Sequence, residues 1–400
     1  MGTSPTLTQV VLQVAICFTL NFKVSSAAAI CNAGDKSALL RFKDQLVDNA
    51  KVLDPWKSTT NCCTWPGITC DSRGRVTVLN LLDVFAFPNA SPDTKLKIKP
   101  GVKGAGSSLG DLKALRELEF RNVRFGFVHP IPAQLGGLPA LVSLHLIGTQ
   151  FVGAIPTDLG RLTRLNHLIL EGNRFSSGIP DSFGNLKELT SIQLPNNGLK
   201  TIGSERITLL KKLQSFDLTG NLLSGPIPQW LGKLTLSDYI QLGQNGFTGP
   251  IPGELCSIRG LKRIIIFDTK VSGPIPPKIG NCATLTELVL FDNQITGSLP
   301  VELAKLRNLQ RISVKRNRMA GTLPPQIGDL PMLKEFDIGN NKFSGAIPAN
   351  YGPFEEDELS TDFSGNQLTG PIPRPLSNLR VRVFQPGNPG LCGKPLPACK

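Results

Sequence analysis

From Leu141 to Gln367 the apolar positions recur on a fixed beat. The stretch Leu165 to Pro180 reads Leu-Asn-His-Leu-Ile-Leu-Glu-Gly-Asn-Arg-Phe-Ser-Ser-Gly-Ile-Pro and serves as the type copy. Its Asn173 slot is filled in other copies by Thr149, Asn197, Asn221, Asn245, Thr269, Asn293, Asn317 and Asn341, always 24 residues apart, and then by Asn366 after 25. Self-similarity at such a period predicts a solenoid, in which each turn buries its apolar face only against its neighbours. Within the type copy Leu165, Leu168 and Leu170 point inward, and the alternation across Leu168, Ile169 and Leu170 predicts a short strand. Strands of successive turns then stack about 4.8 Å apart as a parallel sheet. The Asn173 amide stands where the chain leaves the strand, placed to satisfy backbone groups that the turn would otherwise bury unpaired.

The strand phase also predicts a binding surface. Counting back from each slot residue, positions −3 and −5 face the core, while −2, −4 and −6 face the concave surface. Most outward positions are polar or small, but the Thr269 turn presents Ile265 and Phe267, and the Asn293 turn presents Val289 and Phe291. Basic residues border them: Lys270, Arg311, Lys315, Arg316 and Arg318. An exposed apolar block of a few hundred Å² is a common mark of an interaction site, and aromatic anchors ringed by arginine resemble binding hot spots. The expected site therefore has Phe267 and Phe291 as anchors and Lys315, Arg316 and Arg318 steering an acidic rim. In the −6 column Arg263, Glu287, Arg311 and Glu335 alternate in sign, a ladder expected to satisfy itself.

The flanks differ from the repeats. Val10 to Leu20 is mostly apolar and Ser26-Ala27-Ala28-Ala29 offers a small-residue cleavage site, although the start carries no Lys or Arg; residues 1–29 read as a secretory signal. No stretch reaches the ~20 apolar residues of a membrane-spanning helix. Asp35 to Lys43 reads as a helix with Leu39, Phe42 and Leu46 on one face, followed by Asn61-Cys62-Cys63-Thr64-Trp65-Pro66-Gly67-Ile68-Thr69-Cys70. Residues 30–75 are the unit expected to cover the raw end of the solenoid. Repeats then occupy residues 76–380 in about 12 turns, with an irregular insertion near residues 85–108. The insertion holds Lys95, Lys97, Lys99 and Lys103, read chiefly as a solvated edge, and a glycosylation sequon at Asn89 followed by Pro92. Residues 381–400 close the chain.

These motifs resemble a known family. The Cys-Cys pair, Trp65-x-Gly67 and Gly74-Arg75-Val76 resemble the N-terminal cap of plant extracellular leucine-rich-repeat proteins. The Leu-Thr-Gly-x-Ile-Pro form at Leu368 to Pro373 resembles the plant-specific class of repeat, and Gly387 to Cys399 resembles the C-terminal cap that ends plant receptor ectodomains. The chain as a whole is similar to the DNA-damage-repair/toleration-type and polygalacturonase-inhibiting proteins. This resemblance implies an α/β solenoid: a right-handed superhelix with a parallel concave sheet, a second short sheet, and convex helical turns such as Thr157 to Arg161. The Asn197 copy lacks Gly-x-Ile-Pro and reads Leu199-Lys200-Thr201-Ile202-Gly203 instead. The resemblance also implies disulfides Cys31–Cys62, Cys63–Cys70 and Cys392–Cys399 within the caps. With the chain stopping at Lys400, neither a membrane span nor a kinase is expected.

Composition narrows the function. Cys17 would leave with the signal, and the eight remaining cysteines suit an oxidising compartment. Cys256 and Cys282 lie 26 residues apart. Rung spacing plus two residues of tight turn gives about 6 Å, near the edge of disulfide geometry, which favours two buried free thiols. Cys62, Cys63 and Cys70 lack the paired spacing of zinc sites, and His145 and His167 near Glu171 are read as solvated strand residues. No catalytic constellation, cofactor motif or nucleic-acid motif is found, so an enzyme is not expected. A net charge of +13 draws the chain toward acidic polymers without specifying one. The expected function is a secreted, apoplastic recognition protein binding an extracellular protein ligand on its concave face, inhibiting a microbial wall-degrading enzyme or acting in defence or signalling. Pectin or a membrane receptor in trans are further partners to consider. The alternative is a cell-wall structural protein held to pectin by charge.

Overall fold

The computed structural model describes residues 29–49, 51–81, 96–102, 104–124, 129–355 and 361–399. The expected signal, Asn89, Lys95, Lys103 and much of the insertion lie outside the described residues. Strands from successive turns form one sheet of 12 strands in chain order, from Ile68–Cys70 to Glu335–Asp337. Its first pair, Ile68–Cys70 against Val76–Leu81, is antiparallel, and every later pair is parallel. Register is one repeat per rung, so Arg263, Glu287, Arg311 and Glu335 stand side by side. Leu168 and Leu170 of the type copy are fully buried, as are the residues one rung along, Ile192 and Leu194.

The slot asparagine knits the rungs together. Asn173 Nδ2 donates to the carbonyls of Leu146 (2.7 Å), Leu170 (3.1 Å) and Glu171 (3.1 Å). Its Oδ1 accepts from the Phe151 amide at 3.1 Å and from the Thr149 hydroxyl at 2.7 Å. The three carbonyl bonds and the bond from the backbone amide, without the hydroxyl, recur at Asn221, Asn245, Asn341 and Asn366. One further rung was not anticipated: Asn388, wholly buried in the C-terminal cap, accepts from Leu368 N and donates to the carbonyls of Phe363 and Phe384. The residue before the slot carries a left-handed backbone throughout, for example Gly148, Gly172, Asn196, Asp268 and Arg316, because the chain must turn sharply off the strand there.

Beyond the slot, the residues that lead into Gly-x-Ile-Pro form the second layer of strands, such as Gly246–Gly249 and Lys270–Gly273. It is interrupted where the Asn197 copy departs from the pattern: Val152–Gly153 pairs with Arg174–Phe175, and a four-stranded sheet resumes at Ser224–Pro226. Prolines such as Pro156 and Pro228 then lead into five-residue 3-10 turns on the convex side. Their fixed φ suits the entry to such a turn.

Both ends are capped. The helix Ala33–Lys43 starts at Asn32, whose side chain accepts from Gly34 N and Asp35 N. Buried Asp35 is held by both the Arg75 guanidinium (2.9 and 3.0 Å) and Val76 N, pinning the helix to the first parallel strand. Phe42 stacks on Phe120 at 5.5 Å, bringing cap and repeat core together. Disulfides join Cys31 to Cys62, Cys63 to Cys70 and Cys392 to Cys399. The expectation of free thiols inside the repeats is overturned: Cys256 and Cys282 form a disulfide with Cα atoms 4.6 Å apart. That is close to the rung spacing alone. The two-residue offset is absorbed in the curl of neighbouring convex turns, Gly253–Ser257 and Pro277–Asn281, instead of adding to the separation.

Replacing Asn221 by Ala should leave the Leu199 amide without its partner and remove one of two donors from each of the carbonyls of Leu194, Leu218 and Thr219, which keep Asn197 Nδ2, Asn245 Nδ2 and Asn196 N. The expected loss is about 1–3 kcal/mol, measured by urea unfolding. Leu222→Asn, at a neighbouring exposed side chain, should change stability by less than about 0.5 kcal/mol.

Candidate ligand-binding face

The concave sheet surface is formed by the −2, −4 and −6 columns, and its C-terminal half holds the residues singled out from sequence. Ile264, Ile266, Leu288 and Leu290 belong to the interior core, whereas Phe267 and Val289 lie outside that cluster although both are buried. They are covered on the concave side. A Cβ on Gly243, in the rung before Phe267, would lie 2.5 Å from the Phe267 ring, so that ring rests across the space where Gly243 has no side chain. Phe291 in turn stacks on Phe267, with centroids 4.9 Å apart and planes 21° apart.

This corrects the expectation of four free apolar side chains. Phe267 is only 8% exposed and Val289 only 7%, while Ile265 and Phe291 are half-buried. Side chains in one column lie a rung apart, close enough for each ring to cover the next. The surface available to a partner is therefore the outer part of Ile265 and Phe291 on a floor of Phe267 and Val289.

The basic border is also corrected. Lys315 Nζ lies 2.7 Å from Asp362 and 4.0 Å from Asp337. Arg316 makes a two-pronged pair with Asp292. Arg311 bridges Glu335 and, at 3.8 Å, Glu287. Arg263 leaves the ladder to grip Asp238 through two 2.9 Å bonds, with its guanidinium 4.7 Å from the Tyr239 ring centre. Lys315, half-buried, and Arg316, exposed, are thus both paired with carboxylates, and Lys270 and Arg318 are exposed beside them. Tyr239, Asp238, Gly243, Asp337 and Asp362 complete the face and were not anticipated; column counting places Tyr239, Gly243, Asp337 and Asp362 on it.

Two carboxyls on this surface are tuned by burial. Burial raises Asp337 to about 7, against the opposing pull of Lys315, with Asp362 adding to the rise. Burial raises Asp217 to about 6, opposed by its hydrogen bond from Thr219 N. Nearer the N-terminus, burial lowers both His145 and His167 and raises Glu171, which favours the uncharged form of all three. Among the described residues, the one close cluster of metal-type ligands is Cys31, Cys62 and Cys63, whose sulfurs are in disulfides.

A parallel strand-turn solenoid, closed by a cysteine-linked cap and threaded by a slot-asparagine ladder, defines a leucine-rich-repeat protein. The chain matches a leucine rich repeat N-terminal domain over residues 32–71 and leucine rich repeats over 163–223 and 284–306. Its relatives include Receptor-like protein 7 of Arabidopsis thaliana, 34% identical over 32% of this chain and 12% of the relative. A polygalacturonase inhibitor of Pyrus communis is 35% identical over 28% of this chain and 30% of the relative. The chain thus spans less than a third of the length of either. Among solved structures, PEPR1–AtPEP1 is similar with a TM-score of 0.67 and 26% identity, covering 86% of this chain and 50% of that one. A plant ice-binding protein shares the fold with a TM-score of 0.58 at 22% identity, covering 92% and 98% of the two chains.

The buried carboxyls set the direction of the pH response. Asp337 holds its proton in the folded state up to about pH 7, whereas its ordinary value is 3.8. Between these values the folded chain binds more protons than the unfolded one, so its contribution to stability is present at low pH and is lost as pH rises toward 7. Melting should occur higher at pH 5 than at pH 8, and Asp337→Asn should shrink the difference by on the order of 2 °C or more. An unchanged pH profile in the variant would remove Asp337 from this role.

Proposed function

We propose that the chain is a secreted recognition protein whose concave face binds an extracellular protein ligand. The observation that carries this reading is the Ile265 and Phe291 surface. It is apolar, set among ion pairs, raised on a stacked floor, and it lies outside the solenoid core. Aromatic anchors of fixed orientation lose little freedom on binding and so favour a protein partner. The disulfides fit an oxidising, extracellular compartment. No helix among the described residues is long and apolar enough to cross a membrane. Polygalacturonase inhibitors and receptor-like proteins stand among the relatives, which makes a wall-degrading enzyme the first ligand to try.

The test is direct binding and inhibition with a panel of microbial polygalacturonases, comparing the parent chain with Ile265→Ser and Phe291→Ala. Because Phe267 remains in place beneath, the variants should keep the parental melting profile and weaken binding at least about tenfold, near 1.4 kcal/mol. Parental affinity in both variants would exclude the concave apolar surface. Binding without inhibition would retain recognition and discard the inhibitor reading.

A further inference from the structure

The Cys256–Cys282 bond departs at both ends from the repeat that surrounds it. The fourth residue of the convex turn is glycine at Gly136, Gly160, Gly184, Gly232, Gly280 and Gly328, where a Cβ would come within 2.2–2.8 Å of the next rung. Cys256 stands in that place, with Thr208 and Ala304 as the other exceptions. The glycine of its turn has moved to the first position, Gly253, and the Lys278 side chain of the next rung lies across it, 2.8 Å from where a Cβ would be. The residue after each turn is a buried Leu or Ile at Leu162, Leu186, Leu210, Leu234, Ile258 and Leu306, and there Cys282 is only 3% exposed. Among the described residues theirs is the one disulfide between two repeat rungs, the other three lying in the caps.

The bond joins the convex ends of two particular rungs. From Cys256 the chain runs into the strand Arg263–Ile265 and on to Phe267, and from Cys282 into Glu287–Val289 and on to Phe291. These are the rungs whose rings stack on the concave side. The slot between them is weakly tied to the preceding rung. Asn293 gives its amide to the Ile266 carbonyl, 27 residues back, at 2.8 Å, whereas Thr269 has no amide to give Leu242, and its hydroxyl donates forward to Asn293. Thr149, the other threonine slot, has no disulfide and no phenyl ring at its concave positions Ser143, His145 and Ile147. The bond therefore accompanies the apolar surface and not the threonine. We infer that the Cys256–Cys282 disulfide positions the binding surface. It makes the Thr269 and Asn293 rungs one unit, held by the bond on the convex side and by the ring stack on the concave side, so that Ile265 and Phe291 are presented in a single arrangement. Anchors ordered in advance lose less freedom on binding. The ligand side of this inference rests on the concave recognition reading; the coupling of the two rungs does not.

The repeat itself supplies the test variants. Cys256→Gly/Cys282→Leu restores the residues that other rungs carry at these two positions, and Cys256→Ala/Cys282→Val, with Ala304 as precedent for the first change, is the second variant. Ile266 N and Asp268 N donate across the joined pair, to Val289 O at 2.8 Å and Phe291 O at 3.1 Å. Amide hydrogen exchange of a peptide covering 263–268, read by mass spectrometry, therefore reports the coupling. The expected result in both variants is exchange at least about tenfold faster in that peptide, with the remote rung 191–196 unchanged. Any enzyme of the polygalacturonase panel that the parent binds should bind at least about tenfold more weakly. Adding Phe291→Ala should then weaken binding by less than about threefold further, against at least about tenfold in the parent, because both changes act through the same ring. Unchanged exchange at 263–268, equal acceleration in both peptides, or faster exchange with parental enzyme binding would overturn the proposal. A parent that binds no enzyme of the panel would remove the inhibitor reading alone, and exchange would still decide whether the disulfide couples the two rungs.

Discussion

The slot-asparagine ladder is the constraint on which the rest depends. A chain that leaves a strand by a left-handed residue on every turn buries more carbonyl capacity than the neighbouring backbone amides supply. One primary amide on each rung, donating to carbonyls of its own and the preceding turn, resolves that problem locally and couples adjacent turns. Thr149 and Thr269 show what the ladder tolerates: each hydroxyl instead donates to the Oδ1 of the next asparagine. With the turns locked at one register, every outward position becomes a straight column, and surface chemistry reduces to what each column places side by side.

That regularity explains what was legible from sequence. Period, strand phase, core positions and the concave columns follow from counting, because side-chain alternation and a constant rung leave no freedom. Asn388 escaped because it follows Asn366 after 22 residues instead of the usual spacing, inside a cap whose path has no repeat to count by. Phe267 was placed on the right face but at the wrong exposure. Alternation tells which side of the sheet a residue points to, while its burial depends on the adjacent rung, where Gly243 gives its ring room to lie flat. The pairing of Lys315 with Asp362 spans 47 residues and two rungs, beyond any neighbour rule.

The charges show a similar division. Alternating signs in one column made the Arg311 ladder foreseeable, but Arg263 chose Asp238, at the entrance to the preceding strand, where two oxygens meet its fork. Exposed pairs of this kind contribute little stability each. Their larger effect is to remove Lys315 and Arg316 from the set of cations free to steer a partner, so the net charge of the chain overstates the positive character of its concave face.

Glycines in the columns connect these observations. Where Gly243 omits a side chain, the next rung sends the Phe267 ring across the gap; where Gly339 does, a Cβ would collide with Asp362 at 2.5 Å, because that carboxylate has moved in toward Lys315. Both vacancies are filled by the protein itself, and each produces a fixed surface: an aromatic floor in one case, a half-buried ion pair in the other. At Gly148 the Asn122 amide of the preceding rung fills the space, 2.6 Å from where a Cβ would lie, whereas at Gly172 nothing comes closer than 3.5 Å. In a solenoid the backbone repeats, so a recess can arise only where the sequence withholds side chains from successive rungs. The same counting that defines the repeat then locates each vacancy, and the side chain on the adjacent rung decides whether it closes.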